Sequence, residues 1–236
     1  MKTPRLRIAS AVALAATSAL VLAGCASGTG SGATDDGRIQ VVASTNVYGQ
    51  IAAEIGGDLV DVTSIIDSAA QDPHSYEPSA RDQLTVSRAD LIIENGGGYD
   101  AFVDALIDSS GSDAPVITAV EYSHDWPENA GHDEDETPSA YGDGHDHDHG
   151  DHGHVEGFNE HVWYDPHTIE HVAEAIAAEL GELAPDDAAT FTANAETFAD
   201  GVHGLEESLA SIEGSDAGAE VFATEPVPGY LVRAAG

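Results

Sequence analysis

The 236-residue chain carries 43 acidic and seven basic side chains, a formal charge of −36 at neutral pH with histidine uncharged. Such a surface cannot neutralise a phosphate backbone, which excludes nucleic acid as a partner and suits a soluble protein that draws cations toward itself. An apolar fraction of 42% is enough for a packed core, a single cysteine excludes an internal disulfide or a thiolate cluster, and twelve histidines in so acidic a chain point to metal.

The first segment is an address. Lys2, Arg5 and Arg7 form a basic start, Ile8–Leu22 is a short run of Ala, Val and Leu, and small residues then lead to the lone cysteine. Residues 1–24 therefore read as a secretory signal, too short and wrongly flanked for a stable membrane span. Leu22-Ala23-Gly24-Cys25 resembles the bacterial lipobox, in which that thiol is diacylated and becomes the new first residue. Cys25 is accordingly the expected lipidation site, and the mature protein is expected outside the cytoplasm, tethered to the cell membrane. One acyl chain binds only marginally, so two or more make the workable anchor. The Ser/Gly/Thr-rich residues 25–37 follow as a flexible linker.

From Arg38 the pattern turns globular. Strands are expected at Ile39–Ser44, Leu59–Ile66, Ala89–Glu94 and Ala114–Ala119, and helices at Val47–Ile55, Arg81–Arg88 and Tyr99–Ile107. Strands alternating with helices in this rhythm predict βαβ units and a parallel sheet, an α/β fold. His161–Trp163 is a candidate fifth strand. Ile169, Val172, Ala173, Ile176, Ala177 and Leu180 then fall on one helical face. Pro185-Asp186-Asp187 opens a long helix with the stripe Phe191, Phe198, Val202, Leu205, Leu209 and Ile212, broken at Gly214–Gly218. Glu220–Ala223 reads as one more strand and Gly229–Ala235 as a helix. The domains expected are an α/β lobe over 38–185, a connecting helix over 186–213 and, over 214–236, the start of a second lobe whose greater part is missing. Tyr230 and Leu231 are expected to lack a partner layer, with fraying beyond Ile212.

Between Tyr122 and Gly157 the composition collapses into Asp, Glu, His and Gly, and seven of the twelve histidines lie there. His145, His147, His149, His152 and His154 alternate with acids and glycines and have no apolar neighbour with which to build a core. Imidazoles and carboxylates at this density suit a borderline divalent ion such as Zn²⁺, although a tract without a scaffold gives weak, multiple, fast-exchanging sites.

A sharper constellation lies outside that loop. Asp72-Pro73-His74-Ser75-Tyr76-Glu77-Pro78 follows the second strand at its carboxyl end, where open parallel sheets place ligands. The prolines stiffen the segment around His74. Asn159-Glu160-His161-Val162-Trp163-Tyr164-Asp165-Pro166 carries a second histidine just ahead of a helix, and Ala223-Thr224-Glu225-Pro226 puts a carboxylate after the last strand. Three such groups at strand or loop edges point to one cleft site.

Asp72–Pro78, the run Ala89–Tyr99 and Asn159–Pro166, preceded by the His-rich acidic insert, resemble the signature segments of the zinc/manganese solute-binding lipoproteins of metal ABC importers. The resemblance implies two α/β lobes joined by a long rigid helix, one divalent ion in the cleft, and a monomeric receptor that delivers this ion to an ABC permease. By that resemblance His74 and His161 are two ligands from the first lobe. Glu225 falls where zinc members usually carry a third histidine and manganese and some iron members a glutamate. Zn²⁺ is the expected ion and Mn²⁺ the alternative.

The chemistry expected is capture, not catalysis: there is no His-Glu-x-x-His, no Gly-x-Ser-x-Gly, and the one cysteine is committed to the anchor. A surface zinc buffer acting through residues 145–154 is a second reading. His167 and His171, four residues apart, are expected on an exposed helix face, His203 in a structural position on the long helix, and Tyr76, Trp163 and Tyr164 packing around the site.

Overall fold

The computed structural model describes residues 37–129, 155–216 and 219–236. The signal segment, Cys25, nearly all of the linker, His132 and the His145–His154 tract lie outside them. No helix among the described residues is long and apolar enough to cross a membrane.

Four strands make one parallel sheet in the order β2-β1-β3-β4. β1 (Ile39–Thr45) is central, flanked by β2 (Val60–Ile66) and β3 (Leu91–Glu94), with β4 (Val116–Thr118) at the edge. Alternate residues of a strand face opposite sides, so a strand covered on both sides is apolar throughout. Val41, Ala43, Leu91, Ile93 and Ile117 accordingly share one core with α1 (Asn46–Gly56), α4 (Pro166–Leu183) and the start of α5 (Ala188–Asp216). Val42, Ile92 and Ile66 share the other with Val86 of α2 (Ala80–Val86) and Phe102, Val103 and Leu106 of α3 (Phe102–Ser110). The result is the α/β fold expected, with helices on both faces.

Ser79 opens α2 with a reciprocal cap: its hydroxyl accepts from the Asp82 amide at 3.3 Å, and its own amide donates to Oδ2 of Asp82 at 2.7 Å. Phe191, Ala195, Val202 and Leu209 of α5 are buried, and Nδ2 of Asn194 donates to the Ile55 carbonyl at the end of α1 at 2.8 Å. Leu205 and Ile212, placed on the inward stripe from sequence, are exposed.

Four expectations are corrected. Val162–Tyr164 forms a 3₁₀ turn, not a strand, because the Tyr164 and Asp165 amides are consumed locally by the carbonyls of His161 and Val162. α5 runs through Gly214 to Asp216. Glu220–Ala223 is not a strand: no described strand pairs with it, and Val221 and Phe222 are 64% and 92% exposed. The final helix, α6 (Gly229–Ala234), does not lack a partner layer; Tyr230 is 3% exposed and joins the first core.

Candidate metal centre

The loops at the carboxyl ends of β2 and β3 and the segment ahead of α4 converge. In the first loop Asp72 caps a 3₁₀ turn, Pro73–Ser75, accepting from the His74 amide at 3.1 Å and the Ser75 hydroxyl at 3.2 Å. With Pro73 fixing φ at the start of the turn, the backbone under His74 has little freedom. Tyr76 leaves the site, packing on Phe102 and donating to Asp82 at 3.0 Å.

After β3 the chain reverses through Gly96, Gly97 and Gly98, whose φ values of 77°, 63° and 86° lie in the left-handed region that other residues rarely enter. A Cβ on Gly96 would come within 2.4 Å of the Thr118 side chain. Asp100, fully buried, pins this turn by accepting from the Asn95 and Gly96 amides at 2.7 and 2.9 Å. That contact delays α3 to Phe102, three residues later than its apolar pattern suggests. Burial pushes both the Asp100 and the Glu94 carboxyl upward; for Glu94, the nearby Asp100 and Asp104 add to it while the Thr118 hydroxyl opposes it.

Asn95, also without exposure, ties this turn to the segment ahead of α4. Its Oδ1 accepts from the buried Tyr48 hydroxyl, and its Nδ2 donates to the Glu160 carbonyl at 2.9 Å and the Gly96 carbonyl at 3.0 Å. One ligand atom each from His74, Glu160 and His161 then lies within 4.8 Å of the others, the one such group of three among the described residues. Nε2 of His74 stands 3.8 Å from Oε1 of Glu160. Ligand atoms around a tetrahedral zinc are about 3.4 Å apart, given bonds of roughly 2.0–2.2 Å. The set therefore needs only a small contraction to hold an ion.

Tyr99 contacts both imidazoles in T-shaped arrangements, at 5.1 Å from the His74 ring and 5.8 Å from that of His161, and it packs on Trp163 at 4.7 Å. Burial, reinforced by the carboxylates of Asp100, Asp72 and Glu160, pushes its hydroxyl up to about 12, so it stays neutral in any ordinary buffer. Trp163 also lies 5.1 Å from the His161 ring and 6.0 Å from Tyr164, giving the site an aromatic wall.

The structure brings His74 and His161 together and leaves Glu225 out: Glu225 is exposed on the irregular segment 219–228 and is not one of the converging residues. The carboxylate that does converge on the two histidines is that of Glu160. Sequence reasoning passed over it although it adjoins His161, and over Tyr99 and Asn95 although both sit in quoted or neighbouring motifs. The expectation for His171 is also corrected: it is 9% exposed, its Nε2 lies 3.2 Å from Nε2 of His167, and its Nδ1 lies 3.2 Å from Glu174. His203 is exposed and reaches Glu170 of α4 at 3.3 Å.

The fold is thus a parallel α/β sheet with a His-Glu-His cluster formed by the loop after β2 and the segment ahead of α4. The sequence model of the ZnuA family, described as "Zinc-uptake complex component A periplasmic", matches residues 41–236, and the chain belongs to that family. The zinc-binding lipoprotein AdcA of Streptococcus pneumoniae (serotype 4) is 27% identical over 179 residues, covering 74% of this chain and 33% of AdcA. The manganese-binding lipoprotein MntA of Halalkalibacterium halodurans is 29% identical over 190 residues, covering 80% of this chain and 54% of MntA. The chain thus spans between a third and about half of these relatives. Among solved structures, Zn(II)-bound AdcA from Streptococcus pneumoniae superposes with a TM-score of 0.63 at 20% identity, covering 83% of this chain and 37% of that one. ZnuA superposes with a TM-score of 0.63 at 22% identity, covering 84% and 68%. Both likenesses bear on the fold.

Proposed function

We propose that this chain is the extracytoplasmic capture component of a divalent-metal importer, with Zn²⁺ as its cargo. It takes the ion through Nε2 of His161, an imidazole nitrogen of His74 and a carboxylate oxygen of Glu160, and passes it to an ABC permease. The observation that carries this reading is the convergence of those three side chains within 4.8 Å on loops braced by Asp72, Asn95 and Asp100. Two neutral imidazoles and one carboxylate suit zinc in charge and softness. Glu225 is not included in this ligand set. Attachment through lipid on Cys25 would keep the receptor beside its permease, and the tract 145–154, with its weak fast-exchanging donors, would raise the local ion supply.

Manganese is the second reading, favoured by the Glu160 carboxylate, since Mn²⁺ accepts oxygen donors readily; MntA, a relative, is named for binding manganese. The test is a calorimetric titration of the chain lacking residues 145–154 with each ion. One tight site for Zn²⁺, displaced poorly by Mn²⁺, supports the first reading, and the reverse preference supports the second. Loss of all saturable binding with the tract would replace both with the surface-buffer reading. A variant carrying Glu160→Gln should bind Zn²⁺ at least tenfold more weakly.

A further inference from the structure

Asn159 sits at the crossing of four contacts, three through its side-chain amide and one, from Tyr230, through its backbone carbonyl. Its Oδ1 lies 2.8 Å from Nδ1 of His161 and 3.3 Å from the His161 backbone nitrogen, which donates to it. Its Nδ2 donates to the Pro226 carbonyl at 3.1 Å, and its own carbonyl accepts from the Tyr230 hydroxyl at 2.8 Å. These partners settle which way the amide points. A backbone N–H can only donate and a backbone carbonyl can only accept, so the oxygen must face His161 and the nitrogen must face Pro226. An amide oxygen cannot donate, and therefore Nδ1 of His161 carries the proton. In the neutral imidazole the lone pair is then on Nε2.

We infer that Asn159 is a positioning residue: it selects the Nδ1–H tautomer of His161 so that Nε2 faces the ion, and it is held in that orientation by the docked segment Pro226–Tyr230. The reading deepens the proposed function and rests on it. Gly229 makes the docking possible. A Cβ there would come within 3.0 Å of Nδ2 of Asn159, tighter than a side chain accepts without moving. The C-terminal helix is thereby linked to a metal ligand some seventy residues away in sequence without touching the ion: Tyr230 and Asn159 are 71 positions apart. Partners that orient a ligating imidazole in this way commonly change metal affinity by roughly 10- to 100-fold when removed.

The experiment uses the full chain and reads the His161 ring nitrogens by long-range ¹⁵N–¹H correlation, first metal-free and then during titration with Zn²⁺. Metal-free wild type should show Nδ1 protonated and Nε2 bare. Asn159→Ala should mix the tautomers and weaken zinc binding, read at His161 itself, by about 10- to 100-fold. Asn159→Asp keeps an acceptor of the same size opposite Nδ1 but cannot donate to the Pro226 carbonyl, so in the neutral ring the proton should return to Nδ1 while only part of the affinity does. Gly229→Ala should reproduce a milder form of the Asn159→Ala defect from outside the site. A neutral His161 ring in metal-free wild type that carries its proton on Nε2 rather than Nδ1 would overturn the inference. So would an Asn159→Ala chain with unchanged tautomer and affinity within twofold, and unchanged behaviour of Gly229→Ala would overturn the role of the docked segment. If zinc leaves the His161 signals of wild type unmoved, the proposed function fails instead, while the metal-free spectra still decide the tautomer.

Discussion

Replacing Asn95 by alanine should be the most damaging single change near the site that touches no proposed ligand. The substitution removes three side-chain hydrogen bonds, from the Tyr48 hydroxyl and to the Gly96 and Glu160 carbonyls, at a residue with no exposure. Both carbonyls keep another donor, Tyr99 N–H for Gly96 and Val162 N–H for Glu160. The Tyr48 hydroxyl, itself fully buried, keeps none of its contact with Asn95. The two bonds to carbonyls are worth about 1 kcal/mol each and the stranded buried hydroxyl about 1–3 kcal/mol, giving roughly 3–5 kcal/mol in all. For a domain of this size that lowers Tm by roughly 10 °C. Urea melts of wild type, Tyr48→Phe, Asn95→Ala and the double variant measure it. Tyr48→Phe removes the stranded hydroxyl, so Asn95→Ala should cost less in that background, a coupling of about 1 kcal/mol or more. Zinc at about 100 times Kd should stabilise wild type by about 2.7 kcal/mol and the variant less at the same concentration, because its Glu160 segment is loose. Asn95→Ala melting within 2 °C of wild type, with the same response to zinc, would refute the bracing argument.

His74→Ala and His161→Ala should each weaken zinc binding, and the double variant should lose little more than the worse single one, since the two share one ion; additive losses in calorimetry would mean separate sites. Glu94→Gln should be more stable than wild type near neutral pH. Burial raises the Glu94 carboxyl, so as pH climbs past the ordinary carboxylate range the unfolded chain releases its proton first and wild-type stability falls until the folded carboxyl ionises too. Urea melts between about pH 4 and 8 should therefore show the advantage of Glu94→Gln growing with pH, and a constant difference would contradict this. Leu180→Ala empties a position with no exposure in the α4 face of the core and should cost about 2–5 kcal/mol with zinc affinity per folded molecule unchanged.

Much of this was legible in the sequence because it is local. The β-branched runs of β1 and β3 announce strands buried on both faces, and Asp72-Pro73 announces a stiffened turn beneath His74. What could not be read depends on partners far away. Glu160 is one of 43 acids, and the bond its carbonyl accepts from Asn95, 65 positions away, is among the contacts that mark it as held in place. His161–Trp163 has the composition of a strand, yet its donors close a turn. Val221 has strand chemistry and Phe222 an apolar ring, but no described strand lies beside them to accept their amides. His171 looked surface-facing by spacing and is enclosed once α4 packs.

The three converging side chains differ in their access to solvent: the His74 side chain is 34% exposed, Glu160 12%, and His161 as a residue 8%. A donor set graded in this way can be taken apart from one side. If the proposed set holds an ion, an incoming imidazole, carboxylate or chelator would reach it along the His74 flank and take that coordination place while Glu160 and His161 kept theirs. Departure by such replacement would never leave the ion bare, so its rate would grow with the concentration of the acceptor rather than being set by spontaneous loss into water. A donor set exposed on one flank would thus release an ion faster to a contacting acceptor than to water alone.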